Sequence, residues 1–165
     1  MRKAARWIFL REISPLIRCA IISRTGKTSS TVYLLDTDTS SFIFSERSVR
    51  ASQRFSRSRS EDLSISSITL GELQYGVERS RNARYAALLR YFLDTVQVVP
   101  YGALAAYQFA RVKAELAQRG ELIGPYDLQI AAHAIALGAT LVTHNTREFS
   151  RIEGLELDDW VTDAY

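Results

Sequence analysis

Four polar positions able to do chemistry lie far apart in the sequence: Asp36, Glu72, Asp127 and Asn145. Three are carboxylates. If a fold draws them together they repel one another, which raises their pKa values and costs stability unless a cation neutralises them. Convergence therefore implies a metal. Carboxylate and water oxygens suit Mg²⁺ or Mn²⁺, ions that activate water and stabilise charge on a phosphate being cleaved. A structural zinc is excluded, because Cys19, His133 and His144 are the only cysteine and histidines and cannot furnish four ligands. Taken singly, each acid has an ordinary use: Asp36 as a helix cap, Glu72 as a surface residue, Asp127 as a first-turn acid favoured by the helix dipole. The chemistry depends on whether one architecture gathers them.

The elements that would do so can be read from the hydrophobic pattern. The 165 residues are 47% hydrophobic and 24% charged, the composition of one globular domain large enough to bury a core without staples. Val32-Tyr33-Leu34-Leu35 is a short apolar run closed by Asp36-Thr37-Asp38, a strand running into a helix N-cap. Phe42, Ile43, Phe44, Val49 and Phe55 punctuate a pair of helices. A second strand around Leu63 and Ile65 leads into a helix from Thr69 to Arg79, which places Glu72 in its first turn. Residues 81–93 are helical, Val96 to Val99 form a third strand, and Ala103 to Gln118 is a helix stopped by Gly120. Pro125 opens a helix running from Tyr126 to Leu137, stopped by Gly138, and Thr140 to Thr143 is the fourth strand. Strands separated by helical segments predict a central parallel sheet in a three-layer α/β/α sandwich, with the polar positions at or near the C-terminal ends of the strands.

The net charge of +3 is unevenly distributed. Residues 1–35 hold seven Lys or Arg against Glu12, leaving fourteen basic against seventeen acidic residues in the remainder. A global argument from charge to nucleic acid therefore fails for the body of the chain, and only local clusters count. Arg47, Arg50, Arg54, Arg57 and Arg59 face Glu46 alone in a serine-rich run, and Arg79, Arg81, Arg84 and Arg90 follow. These are either a solvated helix face or a set of contacts to RNA phosphates. Charges at Arg11, Glu12 and Arg18 interrupt the only apolar stretch near the N-terminus, so no membrane span is expected, and cysteine usage points to the cytoplasm. Residues 1–31 end in a polar run resembling a linker. Their Gly26-Lys27-Thr28 lacks the earlier glycine of a phosphate-binding loop, since Ile21 stands there. The Arg-rich leader also resembles a transit peptide.

Four ordered segments carry a family resemblance: Tyr33-Leu34-Leu35-Asp36-Thr37; Ile65 to Gly76 with Thr69-Leu70-Gly71-Glu72-Leu73; Ile123 to Ala134 with Pro125-Tyr126-Asp127; and Leu141-Val142-Thr143-His144-Asn145-Thr146-Arg147-Glu148-Phe149, followed by Gly154-Leu155 and Asp159-Trp160. From Val32 to Trp160 the chain resembles the PIN-domain ribonucleases, specifically the VapC toxins of type II toxin-antitoxin pairs. The resemblance implies a PIN-like α/β fold and a Mg²⁺-dependent endoribonuclease that cuts structured RNA such as transfer or ribosomal RNA to inhibit translation. It also implies silencing by a VapB-like antitoxin and a homodimer. It assigns Asp36, Glu72 and Asp127 to the metal-binding acids and Thr143 to a hydroxyl position near the metal. At the fourth position the family offers two matches, Asn145 and the acid Glu148, and both stay open. Asp38 and His144 stand where the family usually has asparagine. Val32 falls where the toxins' initiator stands, which leads to the expectation of a PIN domain over residues 32–165 and of an over-early start, with residues 1–31 outside the fold.

Two rival readings remain. Leu34-Leu35-Asp36-Thr37-Asp38-Thr39 fits the Asp-x-Asp-x-Thr signature of haloacid-dehalogenase phosphatases, whose first aspartate is a nucleophile, but those enzymes need a phosphate-anchoring lysine and beyond Lys27 the only lysine is Lys113. The other is a catalytically silent RNA-binding or regulatory protein. The favoured mechanism is in-line phosphodiester hydrolysis leaving 5′-phosphate and 3′-hydroxyl ends, with Arg47, Arg50, Arg54, Arg57, Arg81 and Arg84 holding the RNA backbone. Phe42, Phe44 and Phe55 read either as core or as an antitoxin groove.

Overall fold

A computed structural model describes residues 32–162; the expectations for residues 1–31, and the last three residues, lie outside the described part. Five strands form one sheet: β1 (Tyr33–Leu35), β2 (Leu63–Ser66), β3 (Gln97–Val99), β4 (Thr140–Val142) and β5 (Leu157–Asp158). Their order is β3-β2-β1-β4-β5 and every pairing is parallel. The helices are α1 (Thr37–Phe44), α2 (Val49–Arg57), α3 (Ser67–Ser80), α4 (Ala83–Leu93), α5 (Ala103–Arg119), α6 (Pro125–Leu137) and the single turn α7 (Thr146–Phe149).

The period-two alternation of strand side chains divides the core. Leu35, Ile65 and Val142 face one side with Ile43, Phe44, Leu73, Val77 and Phe92, contributed by α1, α3 and α4. Leu34 and Leu141 face the other with Val112, Leu116, Leu128 and Phe149, contributed by α5, α6 and α7. The result is the expected α/β/α sandwich with a buried parallel sheet. Phe44 belongs to its core, and Phe55 stacks on Phe92 at 5.5 Å, whereas Phe42 is turned away from it.

Local signals set the element ends. The Asp36 carboxylate accepts from Thr37 N and starts α1. Ser66 Oγ accepts from Ile68 N, which starts α3 at Ser67 rather than Thr69 and moves Glu72 into the second turn. Gly120 and Gly138 end α5 and α6 in left-handed conformations, φ 68° and 59°.

The strand that the hydrophobic pattern does not predict is β5. It is held by a side-chain lock: Asp158 Oδ2 accepts from Arg54 Nη2 at 2.5 Å and from Trp160 Nε1 at 3.0 Å. The Arg54 guanidinium lies 5.2 Å from the centre of the Trp160 ring, and the buried indole meets Tyr33 edge-on at 5.1 Å. Among the described residues no helix is long and apolar enough to cross a membrane.

Chain order determines where the polar residues meet. β1 lies between β2 and β4, so the order reverses beside it, and the crevice at the carboxyl ends of β1 and β4 is the topological switch point where α/β sheets bind ligands. Asp36 follows β1 there, and Thr143 follows β4.

Candidate active site

Asp36 is 3% exposed, and its carboxylate is held at both ends. Oδ1 accepts from Thr37 N at 2.6 Å, and Oδ2 accepts from Thr143 Oγ1 at 2.7 Å. The Thr143 hydroxyl in turn accepts from Asn145 N at 3.1 Å. The Asp36 amide donates to Val142 O at 3.0 Å, extending the β1–β4 ladder to the site. The Asp36 carboxyl is pushed up to about 7, by burial first, against the lowering effect of the Thr143 and Thr37 hydrogen bonds and with smaller upward contributions from the charges of Asp127 and Asp38.

Asp127 sits in the first turn of α6, half-buried. Its carboxyl is pushed up to about 6 by burial first, then by the charges of Glu72, Glu148 and Asp38. Gly124 leaves room for it: a Cβ there would stand 2.8 Å from Asp127 Oδ2. Glu72 is fixed by Thr37, whose Oγ1 donates to Glu72 Oε2 at 2.5 Å. The acids from four separate elements, α1 with its cap, α3, α6 and α7, therefore repel across one crevice.

Among the described residues no three His, Cys, Asp or Glu side chains close on one point as a ligand shell. The donor set nevertheless fits a hard divalent cation. Two carboxyls are raised first by burial and then by neighbouring acids, and Mg²⁺ characteristically binds through one or two carboxylates while keeping several waters.

Further contacts around the site join residues distant in the sequence, and the pairing of Thr37 with Glu72 and of Ser66 with His133 had no signal there. Thr37 holds Glu72, and Asp38, exposed on α1, adds charge felt by both Asp36 and Asp127. Ser66 Oγ and His133 Nδ1 share a hydrogen bond of 2.9 Å that joins the start of α3 to the middle of α6. Burial lowers His133 to about 4, so the ring is neutral at physiological pH. Asn145 stands at the start of α7 with no side-chain cap bond, and Glu148 follows within that turn.

The arginines separate. Arg54 pairs with Asp158 and lies against Trp160 in the β5 lock. Arg47 lies over the Phe42 ring, 4.8 Å from its centre. Arg50 is half-buried on α2, and Arg57, Arg81 and Arg84 are exposed, the last three without an ion pair among the described residues.

The PIN-domain family model matches residues 33–155. The chain belongs to the PIN-domain family. Within that family its relatives are VapC ribonucleases. This PIN domain is 39% identical over 129 residues to the tRNA(fMet)-specific endonuclease VapC of Shigella flexneri, covering 78% of this chain and 97% of that one. It is 38% identical over 130 residues to ribonuclease VapC2 of Haemophilus influenzae strain Rd, covering 78% and 98%. The PIN fold superposes on the crystal structure of VapBC2 from Rickettsia felis bound to a promoter DNA fragment with a TM-score of 0.73, at 35% identity and 78% and 98% coverage. For DNA-bound VapBC from Salmonella typhimurium the TM-score is 0.72, at 38% identity and 79% and 98% coverage. VapC ribonucleases belong to a nuclease family that works with a divalent metal.

Proposed function

We propose that this chain is the toxin of a type II toxin-antitoxin pair, a cytoplasmic Mg²⁺-dependent endoribonuclease that cuts structured RNA of the transfer RNA class and is silenced by a VapB-like antitoxin. The observation that carries this reading is the placing of Asp36 and Asp127 at the switch point of the sheet, two buried or half-buried carboxyls pushed toward neutrality by burial and by the acids around them. Such an arrangement is costly and is relieved by a bound cation. The name of the Shigella relative supports transfer RNA as the substrate class, and the VapBC complexes support the partner.

Asp36 and Asp127 would hold the ion, with Glu72 and Glu148 supplying the surrounding negative charge. When bound, Mg²⁺ would supply the positive charge that activates water and stabilises the phosphate as it is cleaved. The chain's own part is orientation. Thr143 and the Thr37 amide fix the Asp36 carboxylate, the Thr37 hydroxyl fixes Glu72, and the gap at Gly124 keeps Asp127 free to face the crevice. Exposed arginines such as Arg57, Arg81 and Arg84 would hold the RNA backbone without reading sequence. We include in this proposal a homodimer and a PIN unit comprising residues 32–165.

Sequencing RNA ends after brief expression tests the reading. New 5′-phosphate and 3′-hydroxyl ends concentrated in transfer RNA are expected, and absent from cells co-expressing the antitoxin. Ends scattered over messenger RNA, or no new ends, would overturn the substrate assignment.

A further inference from the structure

Beside the acids lies a cluster that the nuclease chemistry leaves unused. Phe42 follows Asp38 by one turn of α1, so the two share a helix face, and the ring is half-buried where Phe44 is in the core. His144 stands between Thr143, which holds Asp36, and Asn145. Its ring meets Phe42 edge-on, with centres 6.2 Å apart and planes at 81°. His144 Nδ1 is 3.2 Å from Asp159 Oδ2 and 3.3 Å from Thr162 Oγ1, which fixes the ring while 47% of the side chain stays exposed. On Phe42 lies the guanidinium of Arg47.

The hydrogen bonds of Arg47 indicate what it is shaped to bind. Nε donates to Ser45 Oγ at 2.9 Å and Nη2 donates to Ser41 Oγ at 2.6 Å, so part of its donor fork is used to hold the group against the ring. Both partners are neutral hydroxyls, so the charge is undiminished. A phosphate is gripped by the fork, whereas a nucleobase stacks on the plane. An arginine held by its edge donors offers the plane.

We propose that Phe42, Arg47 and His144 form a platform for one unpaired nucleobase of the RNA, next to the cation site proposed at Asp36 and Asp127. This deepens the nuclease reading and rests on it. It moves Arg47 from backbone contact to base contact and makes the platform a determinant of which bond is cut.

The test is a kinetic cycle between protein and RNA. The probe is a short RNA hairpin with a single-stranded loop that the wild-type protein cuts, together with versions carrying one abasic residue at each loop position in turn. Arg47→Lys keeps the charge and loses the plane, and at an exposed site it leaves the fold intact. Phe42→Leu removes the ring beneath it, with folding checked by circular dichroism. On the intact hairpin each variant is expected to lower kcat/KM about tenfold. At one abasic position beside the cut bond the wild type is expected to be slowed by a similar factor, with no further loss in the variants. Equal losses on intact and abasic RNA at every position would overturn the platform while leaving the nuclease reading standing. Unchanged RNA kinetics with weakened binding of a VapB-like antitoxin would assign the surface to the protein partner and also overturn it. No cleavage of any hairpin by the wild type would remove the nuclease reading and the platform together.

Discussion

Ser66 Oγ lies 2.9 Å from His133 Nδ1, a buried hydrogen bond that ties the helix bearing Glu72 to the helix bearing Asp127. Ser66 also caps its own helix through Ile68 N, so one hydroxyl both starts α3 and sets its position against α6.

Ser66→Ala removes the cap and strands a buried imidazole nitrogen. A cap is worth about 1 kcal/mol, and an unsatisfied buried polar group costs roughly 1–3 kcal/mol. A loss of about 2–3 kcal/mol in urea unfolding is expected, with a lower apparent metal affinity in isothermal titration because Glu72 and Asp127 lose their common reference. Unchanged stability would show that the pair is incidental.

Gly124→Ala separates site from fold. The backbone at Gly124, φ −52° and ψ 144°, accepts alanine, but the new Cβ would meet Asp127 Oδ2 at 2.8 Å and must displace that carboxylate. Cleavage should fall at least tenfold while the melting temperature stays within a few degrees. Wild-type activity in this variant would mean that the orientation of Asp127 is unimportant.

The raised carboxyls set a pH dependence with a definite sign. Asp36, lifted from 3.8 to about 7, contributes stability that is fully present below 3.8 and lost as pH rises through about 7, and Asp127 behaves likewise up to about 6. His133, lowered from 6.5 to about 4, works in the opposite direction, its contribution being lost as pH falls from 6.5 through 4. Asp36→Asn isolates the first effect. In the presence of chelator it should be more stable than wild type at pH 8, by at least about 1 kcal/mol, with the advantage vanishing near pH 4. A pH-independent difference in chemical denaturation would contradict the assigned cause.

We propose that Asn145 and Glu148 divide the fourth position. The charge of Glu148 is felt by Asp127, whereas Asn145 meets Thr143 through its backbone amide. Glu148→Gln should weaken apparent Mg²⁺ affinity severalfold, with cleavage partly recovered at high metal. Asn145→Ala should lower the rate with less change in the metal titration. An unshifted titration for Glu148→Gln would return that residue to the surface.

How far the sequence carried the fold is clearest at its edges. Leu34, Leu35, Leu141 and Val142 announce buried strands because apolar runs between turn signals have few other uses. β5 escapes such reading, since Leu157–Asp158 owes its place to the distant Arg54 and to Trp160. The first turn of α3 was hidden because Ser66 and Ser67 resemble strand and turn residues until the cap is seen. At the site, the three expected acids can be named from the chain. Their supports cannot, because Thr37–Glu72, Thr143–Asp36 and Ser66–His133 join residues 35, 107 and 67 positions apart. Arg54 and Arg57 look alike in the sequence, yet only Arg54 pairs with Asp158.

Whether the acids at the Asp36–Asp127 crevice make this PIN domain a metal-dependent ribonuclease is read out by titrating RNA cleavage with MgCl₂ after chelation, using the purified chain beside Asp36→Asn and Asp127→Asn. A cation-dependent site gives no cleavage without metal, saturable recovery for wild type, and at least a hundredfold lower rate for both folded variants. Metal-independent cleavage by the wild type, or a wild-type rate in either variant, would contradict it.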